Sequence, residues 1–239
     1  MIDAITYQEI VRSVHSDLDG SPKRLCFIDS IEPAQRRLMA EINSKLKKHA
    51  LVVVLFCNPK TEFCKREILN SMNYFHHRSK EHINIFCCGH GAYWPKGKYP
   101  DLQSVTEIDG VQWSYSDKSF VSVVEEFESR TNWHYSGENE ALVLDISPSE
   151  NREELNINSA IVCNLEIMSR DGAFDSVRSF FESLIRYASS TDSADAWGFS
   201  DRQGYQAAKS FLKDSILNLL PSGLKAAYSK AESYAIRQI

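Results

Sequence analysis

Glu67 stands in the stretch "LFCNPKTEFCKREIL", where an apolar run ends, a short polar loop follows and a helix is expected to begin. A carboxylate fixed at such a place can stabilise positive charge that develops on a substrate. It also has a plainer use, because negative charge is favoured in the first turn of a helix and Lys65 and Arg66 are at hand to pair with it. Two further constellations carry chemistry-bearing residues. His76, His77, His82, Cys87, Cys88 and His90 crowd one short region and are ligand types suited to zinc. Their spacing fits no standard site. His76 and His77 are neighbours on an expected helix and point apart, while Cys87 and Cys88 alternate across an expected strand, so no metal site is expected. Cys57 and Cys64 flank the Glu67 loop, but six residues separate them where a redox pair normally has two. Neither a GxGxxG nor a Walker motif is present.

The elements around these residues read as alternating helices and strands. Thr6 and Glu9 have the spacing of a capping box, and "YQEIVRSVHSDL" should be the helix it starts. "RLCFID" reads as a strand and "AQRRLMAEINSKLKKH" as a helix with Leu38, Ile42 and Leu46 on one face. "ALVVVLF" is a β-branched run typical of a parallel strand covered on both faces. Thr61 is placed to cap the helix "TEFCKREILNSMNYFHHR", and "INIFCC" is another buried strand. "AYWPKGKYPDLQSVTEIDGVQW" is rich in turn residues, and "KSFVSVVEEFESRTN" reads as a helix. Strands alternating with helices predict an α/β fold with a doubly wound parallel sheet. Asp29, the Asn58–Phe63 loop and the Gly89–Tyr93 loop should then share the carboxyl edge of the sheet, where such folds bind ligands.

The character of the chain changes near Trp133. "ALVLDIS" and "SAIVCNLEIM" read as strands, and "FDSVRSFFESLIRYA" as an amphipathic helix with Val177, Phe180, Phe181, Leu184, Ile185 and Ala188 on its apolar face. A polar loop holding Trp197 and two more helices complete the chain. The expected organisation is a first domain over residues 1–133 and a smaller α+β domain over 134–239.

Among the 239 residues, 43% are hydrophobic and 25% charged, as in ordinary globular proteins. A net charge of −5 argues against a broad nucleic-acid surface. No apolar run approaches the roughly 20 residues that span a bilayer, and the N-terminus lacks the pattern of a signal peptide. Six irregularly spaced cysteines imply reduced thiols and a cytoplasmic location.

The segment from Arg24 to Glu128 resembles a TIR domain. Four stretches carry the likeness: "CFIDS", matching a strand and the acid that opens the family's BB loop; "LVVVLFCNPKTEFCKREI", matching a strand and an aromatic-x-x-x-Glu helix start; "AYWP"; and "IDGVQWSYSDKSFVSVVEEF". The nearest members are the NAD-cleaving TIR domains of the animal axon-degeneration type and of bacterial defence effectors. The first strand departs from the family pattern: "DAITYQE" is either a degenerate strand or already a helix cap, and Gln8 and Glu9 stand where basic residues often follow.

The resemblance implies a TIR/flavodoxin-like sheet and an NAD glycohydrolase or cyclase acting in immune, antiphage-like defence. Glu67 matches the catalytic glutamate, with Asp29, Phe63 and Trp94 matching substrate-binding positions. Loss of nicotinamide from NAD leaves an oxocarbenium-like sugar that a carboxylate can stabilise. Nicotinamide is already a cationic leaving group, so NAD enters as substrate and neither a cofactor nor a metal is required. The family completes its pocket with a second TIR domain, so self-association is expected, with residues 134–239 available to a sensor or partner protein. The alternative is a TIR-like interaction module without catalysis. Trp113 is expected in the core.

Overall fold

The computed structural model describes residues 1–18, 50–79, 82–190, 194–196 and 198–199. The expected strand "RLCFID" with Asp29, the helix "AQRRLMAEINSKLKKH", Trp197 and the two last helices lie outside the described residues.

Three strands come from the apolar runs nearest the candidate site. They are β1 (Ile2–Ala4), β2 (Ala50–Phe56) and β3 (Asn84–Cys88). β1 pairs with β3, and β3 with β2, both in parallel. Among the described residues, two later strands, β7 (Glu140–Ser147) and β8 (Asn156–Asn164), extend this sheet to the order β1-β3-β2-β7-β8. β7 lies antiparallel to β2 and to β8, so four of the five strands point the same way. This is a mixed α/β architecture.

Helices cover both faces because the strand residues alternate between two cores. Val52, Val54, Phe56, Phe86, Cys88, Leu142 and Leu144 face α1 (Tyr7–Leu18) and α3 (Asp117–Arg130). Val53, Leu55, Cys57, Ile85, Cys87 and Val143 face the helical segment after β2 and α5 (Val177–Ser190). A fully buried Val or Leu contributes about 1.5–3 kcal/mol relative to exposure, so the two-sided burial of β2 anchors the centre of the molecule.

The strand order departs from the flavodoxin-like arrangement that the resemblance implies. In that order the first strand lies beside the third, the place taken here by β2. Instead β1 pairs with β3 at Ile2↔Phe86 and Ala4↔Cys88. The other flank of β2 is taken by β7 along its whole length, from Ala50↔Ile146 to Phe56↔Glu140. A three-residue β1 cannot displace so long an antiparallel ladder. For the same reason the expected partition at residue 133 is no break in the sheet: β7 and β8 extend it, and Phe181 of α5 packs on Phe75 with ring centroids 4.8 Å apart.

Local signals near the N-terminus resolve in favour of both alternatives. "IDA" is a strand, and Thr6 then starts a helix: its Oγ1 accepts from the Glu9 N–H at 3.3 Å, while Glu9 accepts from the Ile5 N–H at 3.1 Å. Further on, the turn-rich segment and the residues flanking it hold a small antiparallel sheet, with β4 (His90–Gly91), β5 (Gln103–Ile108) and β6 (Val111–Tyr115) in the order β4-β6-β5. Asp109 and Gly110 turn between β5 and β6 with φ of 51° and 77°, the left-handed pair that an Asp-Gly hairpin uses. The run "SAIVCNLEIM" is also divided. Asn164 ends β8 and caps α4 (Leu165–Arg170) by accepting from the Ile167 N–H at 3.0 Å.

Candidate functional site

The parallel pairing of β2 and β3 brings the Asn58–Phe63 and Gly89–Tyr93 loops to one edge of the sheet, as expected. The first loop is tightly tied. Thr61 donates its hydroxyl and its N–H to the Asn58 carbonyl at 3.0 and 3.1 Å. Its Oγ1 accepts from the Cys64 N–H at 3.1 Å, which is the capping role expected of it. Asn139, just before β7, reaches across: its Oδ1 accepts from the Asn58 N–H and its Nδ2 donates to Thr61 Oγ1, both at 3.1 Å, and to Glu166. No sequence signal marks Asn139, because its partners lie far away in the chain.

The helix that follows is not regular. Cys64–Ile68 form a π turn, Leu69–Ser71 a 3₁₀ turn, and only then does α2 (Met72–Ser79) begin. The Leu69 N–H bonds to the carbonyls of both Cys64 and Lys65, so one extra residue is accommodated in the wide turn that carries Glu67. Such turns recur at functional sites. The Glu67 side chain is 22% exposed and accepts from Arg66 Nε at 2.8 Å, while Arg66 itself is 71% exposed. Pairing with Arg66 is what the plainer use of this glutamate requires. Phe63, one turn earlier, is half-buried against the core that contains Cys57 and Cys64.

Trp94 sits on the second loop, half-buried. Its Nε1 donates to the Gly91 carbonyl at 2.8 Å and its ring meets Tyr99 edge-on at 5.1 Å. Tyr93 beside it is 78% exposed. The loop is positioned by Asp3 on β1, whose carboxylate accepts from the Ala92 N–H at 3.3 Å and whose pKa burial raises. Asp29, the fourth expected site residue, lies outside the described residues. Trp113 is in the core, as expected.

Tertiary structure regroups the two cysteine and histidine constellations. Cys57 Sγ and Cys87 Sγ are 3.4 Å apart. These two sulfurs and a ring nitrogen of His90 all lie within 4.8 Å of one another, and all three residues are fully buried. Cys64 is buried on the same core and interacts with Cys57. Burial raises the pKa of Cys87 and lowers that of His90 to about 4, so the imidazole is neutral. His76 and His77, expected to point apart, instead reach the same carboxylate, with Nε2 atoms 3.6 and 2.6 Å from Asp109. The five described cysteines are free.

A cavity of about 560 Å³ is lined by Tyr7, Phe127, Arg130, Glu154, Leu155 and Ile157 among others, and includes none of Phe63, Glu67 and Trp94. Among the described residues no helix is long and apolar enough to cross a membrane. No protein-family model matches the chain, and neither a curated protein nor a solved structure does.

Proposed function

We propose that this chain cleaves the nicotinamide–ribose bond of NAD, as a glycohydrolase or cyclase of TIR type in cellular defence, with Glu67 as the catalytic carboxylate. The observation that carries the proposal is the placement of Glu67. It follows β2 at the carboxyl edge of the parallel strands, in an irregular turn, partly covered and one turn beyond Phe63. A carboxylate so held can face the sugar as oxocarbenium character develops; the C–N bond pair neutralises the ring nitrogen, so nicotinamide leaves as a neutral base without a general acid, and water captures the sugar cation. The exposed Tyr93 beside Trp94 supplies apolar surface for the self-association that would complete the pocket.

A second reading, a TIR-like interaction module without catalysis, is favoured by one specific observation: Arg66 already occupies the Glu67 carboxylate.

Nicotinamide release from NAD by the purified full chain, followed across protein concentrations, separates the two. Catalysis at Glu67 predicts release that rises with self-association, that is lost in Glu67→Ala and Glu67→Gln, and that weakens in Tyr93→Ser. Release undiminished in both Glu67 variants defeats the assignment of the carboxylate. No release by the wild-type chain in any oligomeric state favours the interaction module.

A further inference from the structure

We propose that Cys57, Cys87 and His90, joined by Cys64, form a structural site for a zinc-type divalent ion beneath the Glu67 turn. The proposal goes beyond NAD cleavage and does not depend on it.

The three residues arrive from separate elements. Cys57 directly follows β2, Cys87 is the penultimate residue of β3, and His90 begins β4. Leu55 is the register partner of Cys87, and Cys57 lies two residues further along the same face, so both thiols enter the same core. Gly89 then turns the chain with φ of 73°. No side chain fits there, because a Cβ would stand 2.7 Å from the Cβ of Phe120. This tight turn returns His90 over the end of its own strand.

The donor geometry is that of a site nearly assembled. Zinc bonds of about 2.3 Å to sulfur and 2.0–2.1 Å to nitrogen place neighbouring tetrahedral donors roughly 3.5–3.8 Å apart. The Cys57–Cys87 sulfur separation is 3.4 Å, and every separation in the trio is within 4.8 Å, so small side-chain adjustments suffice.

His90 supplies the independent observation. Its Nδ1–H donates to the Cys88 carbonyl at 2.9 Å, which leaves the Nε2 lone pair bare. That Nε2 is buried without a hydrogen-bond partner. Buried polar atoms are nearly always satisfied. A ligating histidine typically donates its second nitrogen to a carbonyl in this way, with the first nitrogen turned to the metal. Cys64, buried on the same core but outside the trio that lies within 4.8 Å, would have to move in to become the fourth donor.

Thiolates with an imidazole select zinc over the hard cations magnesium and calcium. On binding, the three thiols release their protons to solvent, and the neutral imidazole binds through its lone pair. Full burial of Cys57, Cys87 and His90 argues against a Cys–His nucleophile, since no substrate could reach it. With Cys64 as the fourth protein ligand the site would be structural. The ion would bind the exits of β2 and β3 to the turn that holds Glu67, three residues after Cys64.

The test uses the full chain, expressed with zinc and purified without chelator. Metal analysis is expected to find one zinc per chain. Exchange into cobalt is expected to produce tetrahedral ligand-field bands and a thiolate charge-transfer band. Cys57→Ala, Cys87→Ala and His90→Ala should lose the metal, whereas His90→Cys should keep it. Cys163→Ala and Glu67→Gln should also keep it, whatever the NAD assay shows. Cys64→Ala should weaken retention against a competing chelator by more than the roughly 10–100-fold that loss of a supporting contact produces. Folded wild-type protein that neither carries zinc nor takes up cobalt overturns the proposal, even if the variants fail to fold. Full occupancy in Cys57→Ala or His90→Ala overturns it too, as does a Cys57–Cys87 disulfide in non-reducing peptide maps. Unchanged retention in Cys64→Ala overturns its place as fourth donor.

Discussion

Arg66 Nε donates to Glu67 Oε1 at 2.8 Å, and the pair is formed between adjacent residues of one irregular turn. The guanidinium is mostly in solvent and the carboxylate mostly covered, so Arg66 can swing away more easily than Glu67. If Glu67 acts on NAD, Arg66→Ala frees the carboxylate and nicotinamide release rises. An exposed pair is worth about 0.2–1 kcal/mol, which limits the gain to about fivefold. A fall in release with unchanged stability would instead make Arg66 part of the substrate site.

Asn139, just before the start of β7, links the Asn58–Thr61 loop to α4 through hydrogen bonds to three different residues. Asn139→Ala leaves the Asn58 N–H and the Thr61 hydroxyl short of partners. The expected loss is about 2–3 kcal/mol, read from the urea midpoint at unchanged slope. Asn139→Asp keeps the acceptor toward Asn58 but sets a carboxylate against Glu166, and should also be destabilising. A loss below about 0.5 kcal/mol in Asn139→Ala, the level of an ordinary surface change, would refute the clamp.

Gly89 combines a φ of 73° with the close approach of α3. Gly89→Ala must strain the turn and push on the Phe120 backbone, at an expected cost of about 2–4 kcal/mol. Gly97 and Gly110 share the positive φ but have open space around them. Alanine there should cost distinctly less, and equal losses at all three sites would show that packing at Gly89 contributes nothing.

Glu182 on α5 is gripped from α2. Its carboxylate accepts from Arg78 at 2.7 and 3.1 Å, from Tyr74 Oη at 2.7 Å and from Arg186 at 2.8 Å. Arg78, with help from Tyr74 and Arg186, holds its pKa at about 2, below the ordinary 4.5. A folded-state value below the unfolded one adds stability that is complete above pH 4.5 and lost as the pH falls through about 2. The stability gap between wild type and Glu182→Gln should therefore shrink across that window in urea titrations. A gap that stays constant down to pH 2 would rule out the linkage.

Much of the element pattern was legible because its causes are local. β2 and β3 are β-branched and apolar runs, and α5 shows its buried stripe at Val177, Phe180, Phe181, Leu184 and Ile185. Thr6, Glu9 and Thr61 act as caps through partners three or four residues away. The Asp109-Gly110 hairpin was equally local and was hidden only by the turn residues around it.

What the sequence by itself determined is therefore the strand or helix character of β2, β3, α1, α3 and α5 and the faces they bury, since backbone propensity and apolar period act over a few residues. Only the tertiary structure decided the neighbours. An apolar strand presents the same backbone donors and acceptors on both edges, so nothing in "ALVVVLF" says that β7 takes one flank and β3 the other. That choice joined residues 140–164 to the first sheet. It also carried Cys57 to Cys87 and His90, which spacing along the chain had assigned to different groups. Glu67 was visible as a helix-start acid; its irregular turn and its tie to Asn139 through Thr61 depend on contacts across the fold.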